Sequence, residues 1–317
     1  MSGIKLKHVT CKRIFYFIDY YFGADFFLDL QCNICLKSNL WDKQLIIEFV
    51  TTFSYNFKKS HFIFIKLKMT FFNSPNFKEN LDLKTYNRAY FFQVSESVIN
   101  ECESGFYVNK SGETVELKEK ESITLTDFVD HENKISLKKE KSKKKGELDV
   151  KFLTTIGAGY ELVVEEGYEK TIALNFANPI EPGGGFLRGS NAQEECCCRC
   201  SGLYKTILSR TEFYENNIKN QQNGLSTDGM IISKKVPVYR DDTYNYLDKP
   251  FYLDFITSPA PIAYQYKSCV KNGEKTLKKV IKERIRKILV ECINREYDCI
   301  ILGAYGCGAF GNDPEYV

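Results

Sequence analysis

An α/β sandwich built on a mixed sheet is the fold this sequence predicts, and three observations predict it. From residue 148 onward short apolar runs alternate with stretches of helical period, the pattern of strands covered by helices. Two glycine-rich segments, Gly183-Gly184-Gly185 and Gly303-Ala304-Tyr305-Gly306-Cys307-Gly308-Ala309-Phe310-Gly311, each come after such an apolar run, and the carboxyl ends of strands are where sheets of this class bind ligands. The longest amphipathic run, 274–295, leads directly into the last apolar run, 298–302.

Residues 1–80 are set apart as a poorly defined extension rich in aromatics and lysine. Ile14-Phe15-Tyr16-Phe17-Ile18-Asp19-Tyr20-Tyr21-Phe22 shows its character, and no sustained period of two or 3.6 runs through it. Asp19, Asp25 and Asp29 interrupt each apolar window, which argues against a signal peptide or a membrane span. The segment reads as an ill-packed extension, with Met69 as an alternative start.

Residues 81–317 are expected to form the domain. It opens with a helix over 84–103 whose apolar face is Ala89, Phe92, Ser95, Val98 and Ile99. Phe106-Tyr107-Val108 and Thr114-Val115-Glu116-Leu117 then flank the turn-forming Asn109-Lys110-Ser111-Gly112, so that helix and hairpin together occupy 84–117. The lysine block 138–145 reads as a solvated loop because like charges repel, with docking of an anionic polymer as the alternative. The core, 148–317, supplies strands at 148–156, 171–178, 230–239, 251–256 and 298–302. Its helices are 192–209 and 274–295, the second with Leu277, Val280, Ile281, Ile285, Ile288, Leu289 and Cys292 on one face.

Composition excludes several classes. Apolar residues make up 43% of the chain, enough for a core, and a formal charge of +3 is too small to argue for nucleic acid. No sequence-specific nucleic-acid binding and no membrane partner are expected. Cys196, Cys197, Cys198 and Cys200 fall on one helix, where neighbours point about 100° apart and cannot converge on a tetrahedral metal. Cys32 and Cys35 lack a second pair at a useful distance. The twelve cysteines therefore read as reduced, packed thiols of an intracellular protein, cytoplasmic or nuclear. Neither a metal nor a cofactor is expected. Histidine catalysis is disfavoured, since His8, His61 and His131 all lie well upstream of both glycine segments.

The chemistry is concentrated where the triple glycine is followed, after seven residues, by Gln193-Glu194-Glu195 opening a helix. Glycines without Cβ let backbone N–H groups approach an anionic ligand, and the two glutamates are the titratable groups at hand. Glycosidic hydrolysis beside a ribose passes through an oxocarbenium-like state and needs a proton on the leaving oxygen. Adjacent helical residues are not expected to face the same atom, so one glutamate should hold ribose hydroxyls while the other transfers the proton. A helix N-terminus favours ionised carboxylates; mutual repulsion and burial beneath substrate are expected to oppose it. Simple capping of the helix is the alternative reading.

The triple glycine, the seven-residue spacing and the Gln-Glu-Glu resemble the signature of microbial-type poly(ADP-ribose) glycohydrolases, which are built on a macrodomain. Gly306-Cys307-Gly308-Ala309-Phe310-Gly311 looks like that family's second phosphate-binding loop. Val236-Pro237-Val238-Tyr239-Arg240-Asp241-Asp242 and Ile256-Thr257-Ser258-Pro259-Ala260-Pro261 fall in the same order and spacing as in the family. The resemblance runs from about residue 86 to 317.

It implies a macrodomain-like three-layer α/β/α sandwich with a mixed sheet, lacking the C-terminal closing helix into which members normally continue. The implied activity is metal-free hydrolysis of ribose–ribose O-glycosidic bonds with release of ADP-ribose, Glu195 being the acid/base and Glu194 the positioning residue. The resemblance further implies a diphosphate between the loops, on N–H groups of Gly184, Gly185 and Gly306 to Gly308, with Gly183, Phe186, Gln193, Cys307 and Ala309 beside it. Asn178 is the implied ribose ligand, with Asn175 as the alternative, and Phe310 either stacks near that ribose or belongs to the core. Poly(ADP-ribose) or ADP-ribosylated macromolecules are the implied partners. Binding of ADP-ribose without catalysis and hydrolysis of mono-ADP-ribosyl conjugates stay open, the intact Gln-Glu-Glu favouring an enzyme.

Overall fold

The structure, a computed structural model, describes residues 13–17, 87–137, 147–220 and 222–317. The lysine block 138–145, Cys32, Cys35, His8 and His61 lie outside these residues. The strands are β1 (Arg13–Phe17), β2 (Phe106–Val108), β3 (Thr114–Glu116), β4 (Asp127–Val129), β5 (Glu147–Val150), β6 (Thr171–Phe176), β7 (Met230–Arg240), β8 (Tyr246–Ser258) and β9 (Cys299–Gly303). The α-helices are α1 (Arg88–Ser104), α2 (Glu119–Thr124), α3 (Thr155–Tyr160), α4 (Gln193–Cys200), α5 (Leu203–Leu208), α6 (Thr211–Lys219), α7 (Ala263–Cys269) and α8 (Glu274–Asn294).

Seven strands form one mixed sheet in the order β4-β7-β8-β6-β9-β1-β5. Neighbours from β8 through β5 run parallel, while β7 is antiparallel to both β8 and β4. Thr171 to Asn175 of β6 are all buried, as a central parallel strand covered on both faces requires. Alternation assigns each side chain a layer. Ala173 and Ile301 join the cluster that holds Val98 of α1, Cys198 of α4 and Leu203 of α5. Ile172, Leu174 and Ile300 instead join Ile288 and Cys292 of α8. The result is the expected three-layer α/β/α arrangement, in which each fully buried aliphatic side chain is worth about 1.5–3 kcal/mol.

Several elements differ from expectation. The sheet takes one strand, β1, from the segment that the sequence set apart as an extension, inserted between β9 and β5. The expected strand at 148–156 stops at Val150, because the Thr154 hydroxyl accepts from Gly157 N–H at 2.9 Å and caps α3. The expected helix 192–209 breaks in two: Ser201 leaves helical geometry to make a bridge with Val238, and α5 restarts after Gly202. Strand β8 extends to Tyr246–Ser258, since Arg240 pairs with Tyr246 across a turn in which Asp241 accepts N–H bonds from Thr243 and Asn245. Helix α1 turns a different face inward: Phe91, Val94, Ser95, Val98 and Cys102 are buried, and Phe92 is exposed. On α8, Val280, Ile285 and Leu289 are only half-buried, and the buried row includes a charge, Arg284.

Candidate active site

Helix α4 starts beside the carboxyl end of β6, and Gln193 fixes it there. Its Oε1 accepts the Phe176 N–H at 2.8 Å, and its Nε2 donates to Leu174 O at 2.9 Å and to Thr155 Oγ1 at 3.1 Å. One amide side chain thus replaces the neighbour that the end of β6 lacks on that side. Gln193, expected among the substrate contacts, has its amide committed to this splice.

The two glutamates turn back over the glycine loop. Glu194 Oε2 accepts Asn178 N–H at 2.8 Å, Oε1 accepts Asn175 Nδ2 at 3.2 Å, and the Gly183 N–H is directed at the same carboxyl. Glu195 Oε1 accepts Gly185 N–H at 2.8 Å and Oε2 accepts Ala192 N–H at 3.0 Å, the second being half of a capping box. A Cβ placed on Gly184 would lie 2.7 Å from Glu195 Oε1 and 3.2 Å from Glu194 Oε2. The carboxyls therefore converge on one Cα, contrary to the expectation that neighbouring helical residues face apart; their three-carbon reach overrides the 100° separation. Burial, with the charge of Glu195 adding to it, pushes the Glu194 carboxyl up to about 8 against the opposing N–H donors.

The two glycine loops differ in how their donors are used. In the first, Gly183 N–H faces Glu194, Gly184 N–H donates to Glu181 O at 3.0 Å, and Gly185 N–H holds Glu195. Gly184 and Gly185, expected to present N–H groups to a diphosphate, use them within the protein, Gly184 on a backbone carbonyl and Gly185 on the Glu195 carboxylate. In the second loop, Cys307 N–H is also spent, on Ala304 O at 3.0 Å. The N–H groups of Gly306, Gly308, Ala309 and Phe310 find no acceptor among the described residues. Gly308 and Ala309 are exposed, and a Cβ on Gly308 would meet nothing within 4 Å. Asn312 secures the loop from beneath, its Nδ2 donating to Gly306 O at 2.9 Å and Pro261 O at 2.7 Å.

Asn178 is half-buried and its Oδ1 accepts from Ile180 N–H and Glu181 N–H, an Asx turn that bends the chain into the first loop. Asn175 lies in the interior, its Nδ2 shared between Glu194 and Thr257, at 3.2 Å each. Phe186 is fully buried against Tyr204, ring centroids 4.8 Å apart. Expected beside the substrate, it packs the loop onto the core. Phe310 packs half-buried against the α8-side cluster.

Sequence reasoning missed Arg199. Its guanidinium is buried, with Nη1 donating to Ser190 O at 2.6 Å and Nη2 to Asn191 Oδ1 at 2.5 Å. It lies 4.5 Å from the ring centroid of Phe91 and 5.0 Å from that of Tyr244. It clamps the segment that links the glycine loop to Glu195. The available signal was a lone charge one turn after Glu195, on a helix whose Cys197, Cys198 and Cys200 are core residues.

A mixed sheet with carboxylates and glycine loops at its strand ends is matched among known proteins. Residues 95–241 match the family described as microbial-type PARG, catalytic domain. A search of curated proteins returns no match. The crystal structure of poly(ADP-ribose) glycohydrolase from Thermomonospora curvata superposes with a TM-score of 0.68 at 31% identity, covering 72% of this chain and 84% of that one. The same enzyme bound to the inhibitor ADP-HPD superposes at 0.62 with 30% identity and the same coverage. This chain belongs to the microbial-type poly(ADP-ribose) glycohydrolase family.

Proposed function

We propose that the chain hydrolyses the ribose–ribose O-glycosidic bonds of poly(ADP-ribose) and releases ADP-ribose. The observation that carries this reading is the convergence of Glu194 and Glu195 on Gly184, whose missing side chain leaves both carboxyls room. The acid step needs a proton in the pair, and the Glu194 carboxyl, at about 8, retains one at neutral pH. Glu195 delivers the proton to the leaving oxygen as the C1–O bond breaks and its electrons pass to that oxygen. The oxocarbenium-like sugar then takes up water, whose proton returns to Glu195. Glu194, fixed by Asn175 and the Asn178 N–H, holds the ribose hydroxyls and passes the pair's proton to Glu195 at the outset, and the proton that water returns restores the pair.

The second loop is the diphosphate site in this reading, because its unspent N–H groups form an anion-binding concavity. Asn178 Nδ2 and Phe310 are its ribose neighbours. Among the described residues no helix is long and apolar enough to cross a membrane; the packed thiols suit the reducing cytoplasm, where we place the activity. Incubating the purified protein with poly(ADP-ribose) and measuring free ADP-ribose tests the proposal. Release of ADP-ribose is expected, and tight binding of ADP-ribose with no release would replace the enzyme by a binding module.

A further inference from the structure

Segment 263–287 carries nine basic residues against two acidic ones, a surplus of seven, whereas the whole chain has a surplus of three. The charge is arranged. On α8, Lys275, Lys278, Lys279, Lys282 and Arg286 recur at helical spacing, on the side opposite the buried Leu277, Ile281, Arg284 and Ile288. Lys278 reaches Glu274 at 3.7 Å and lies 4.8 Å over the Tyr316 ring, and Arg286 pairs with Glu283. Lys267, Lys271, Lys275, Lys279 and Lys282 are exposed and meet no carboxylate among the described residues. An ordinary solvated helix face intersperses the two signs; this one does not.

The ridge is continuous with the second glycine loop. Ala263 N–H, at the start of α7, donates to Phe310 O at 2.8 Å. Tyr264, 63% exposed, stands next to Gly311, and Lys267 follows it one turn on. From Lys275 to Lys282 the lysines span about 10 Å of helix. A lone ADP-ribose would place its one diphosphate on the loop and leave the ridge unused.

We infer that the α7–α8 ridge docks the diphosphates of poly(ADP-ribose) units beyond the one held at the second glycine loop. This deepens the glycohydrolase reading and rests on it, making the polymer rather than mono-ADP-ribosyl conjugates the preferred substrate. The test is the full chain carrying Lys275→Gln, Lys279→Gln and Lys282→Gln, three exposed sites outside the catalytic machinery. Turnover is measured on long polymer and on a synthetic ADP-ribosyl glycoside carrying a single diphosphate, and anisotropy of labelled polymer reports binding as salt is raised.

KM for long polymer is expected to rise about tenfold at low salt, with kcat and the KM of the single-diphosphate glycoside unchanged, and the log–log salt slope of binding to fall by about 2, at roughly 0.7 per phosphate contact. An unaltered polymer KM and salt slope, or equal losses on the single-diphosphate glycoside and the polymer, overturns the docking surface while leaving the glycohydrolase standing. Should wild type release no ADP-ribose from either substrate, the glycohydrolase reading fails instead, and anisotropy still decides whether the ridge binds polymer. Single-stranded RNA of equal phosphate number competing as well as poly(ADP-ribose) would overturn the assigned occupant.

Discussion

The two glycine loops share a composition and use it in opposite ways. In the first, the missing Cβ atoms make room for the protein itself: side chains at Gly183 and Gly184 would collide with Tyr204 and with the two glutamates, at φ of +69° and +57°. Its Gly183 and Gly185 N–H groups are consumed in orienting Glu194 and Glu195, and that of Gly184 in closing a turn onto Glu181 O. In the second loop Gly308 faces open space, and four N–H groups around it have no acceptor among the described residues. A glycine-rich loop is therefore not by itself a phosphate cradle; what distinguishes one is whether its donors are already spent.

Removing the proton carrier without touching either loop should have the largest effect. Glu195→Gln is expected to cost about 10²–10⁴-fold in turnover, the usual worth of a general acid/base, with ADP-ribose affinity nearly intact by calorimetry. Wild-type turnover in this variant would show that the first loop orients the wrong carboxylate.

Paired substitutions set the loops against each other. Gly184→Val forces a side chain into the carboxyl pair at positive φ, costing about 1–3 kcal/mol of strain, and a displacement of about 1 Å costs on the order of 10²-fold in rate. The Cβ of Gly308→Val has no atom of the described residues within 4 Å, so stability should change by no more than a surface substitution does, about 0.5 kcal/mol, while ADP-ribose binding is lost. Thermal melts and calorimetry on both variants are sufficient. Equal destabilisation by the two would abolish the distinction drawn between the loops.

A smaller effect sharpens the account of the first loop through pH. The Glu194 carboxyl stands at about 8 in the folded chain against an ordinary 4.5. Between these values the native state binds the proton and the unfolded state releases it. Stability should therefore decline as pH rises from about 4.5 to 8, by an amount on the order of a few kcal/mol. Glu194→Gln should flatten that decline in melts recorded across the window. An unchanged slope would mean that another buried acid carries it, and Glu119, also pushed up to about 8 by burial, is the first to examine.

Much of the fold was legible because its signals are local. The apolar runs that became β6, β7 and β9, the long helix α8 and the hairpin β2–β3 each carry their period or turn residues within a few positions. Edge strand β4 escaped because three residues hold no period, and α1 turned an unexpected face inward because Phe91 meets Tyr244 and Arg199 of α4, contacts that no local pattern encodes. At the site, the glycines and the Gln-Glu-Glu stood out at once. The division of labour among them did not: Gln193 is used up by Leu174, Phe176 and Thr155, and Phe186 by Tyr204.

The chemistry available and its place at the strand ends are legible in the residues alone. Glycine's missing Cβ and the adjacent carboxylates are properties of residues, and strand-to-loop order is a property of the chain. Which donors are spent and which remain was decided only by tertiary structure. Gly185 with Glu195, Asn175 with Glu194 and Thr257, and Arg199 with Phe91 and Tyr244 are contacts across 10 to more than 100 residues, and a hydrogen bond between distant segments leaves no periodicity for either segment to display.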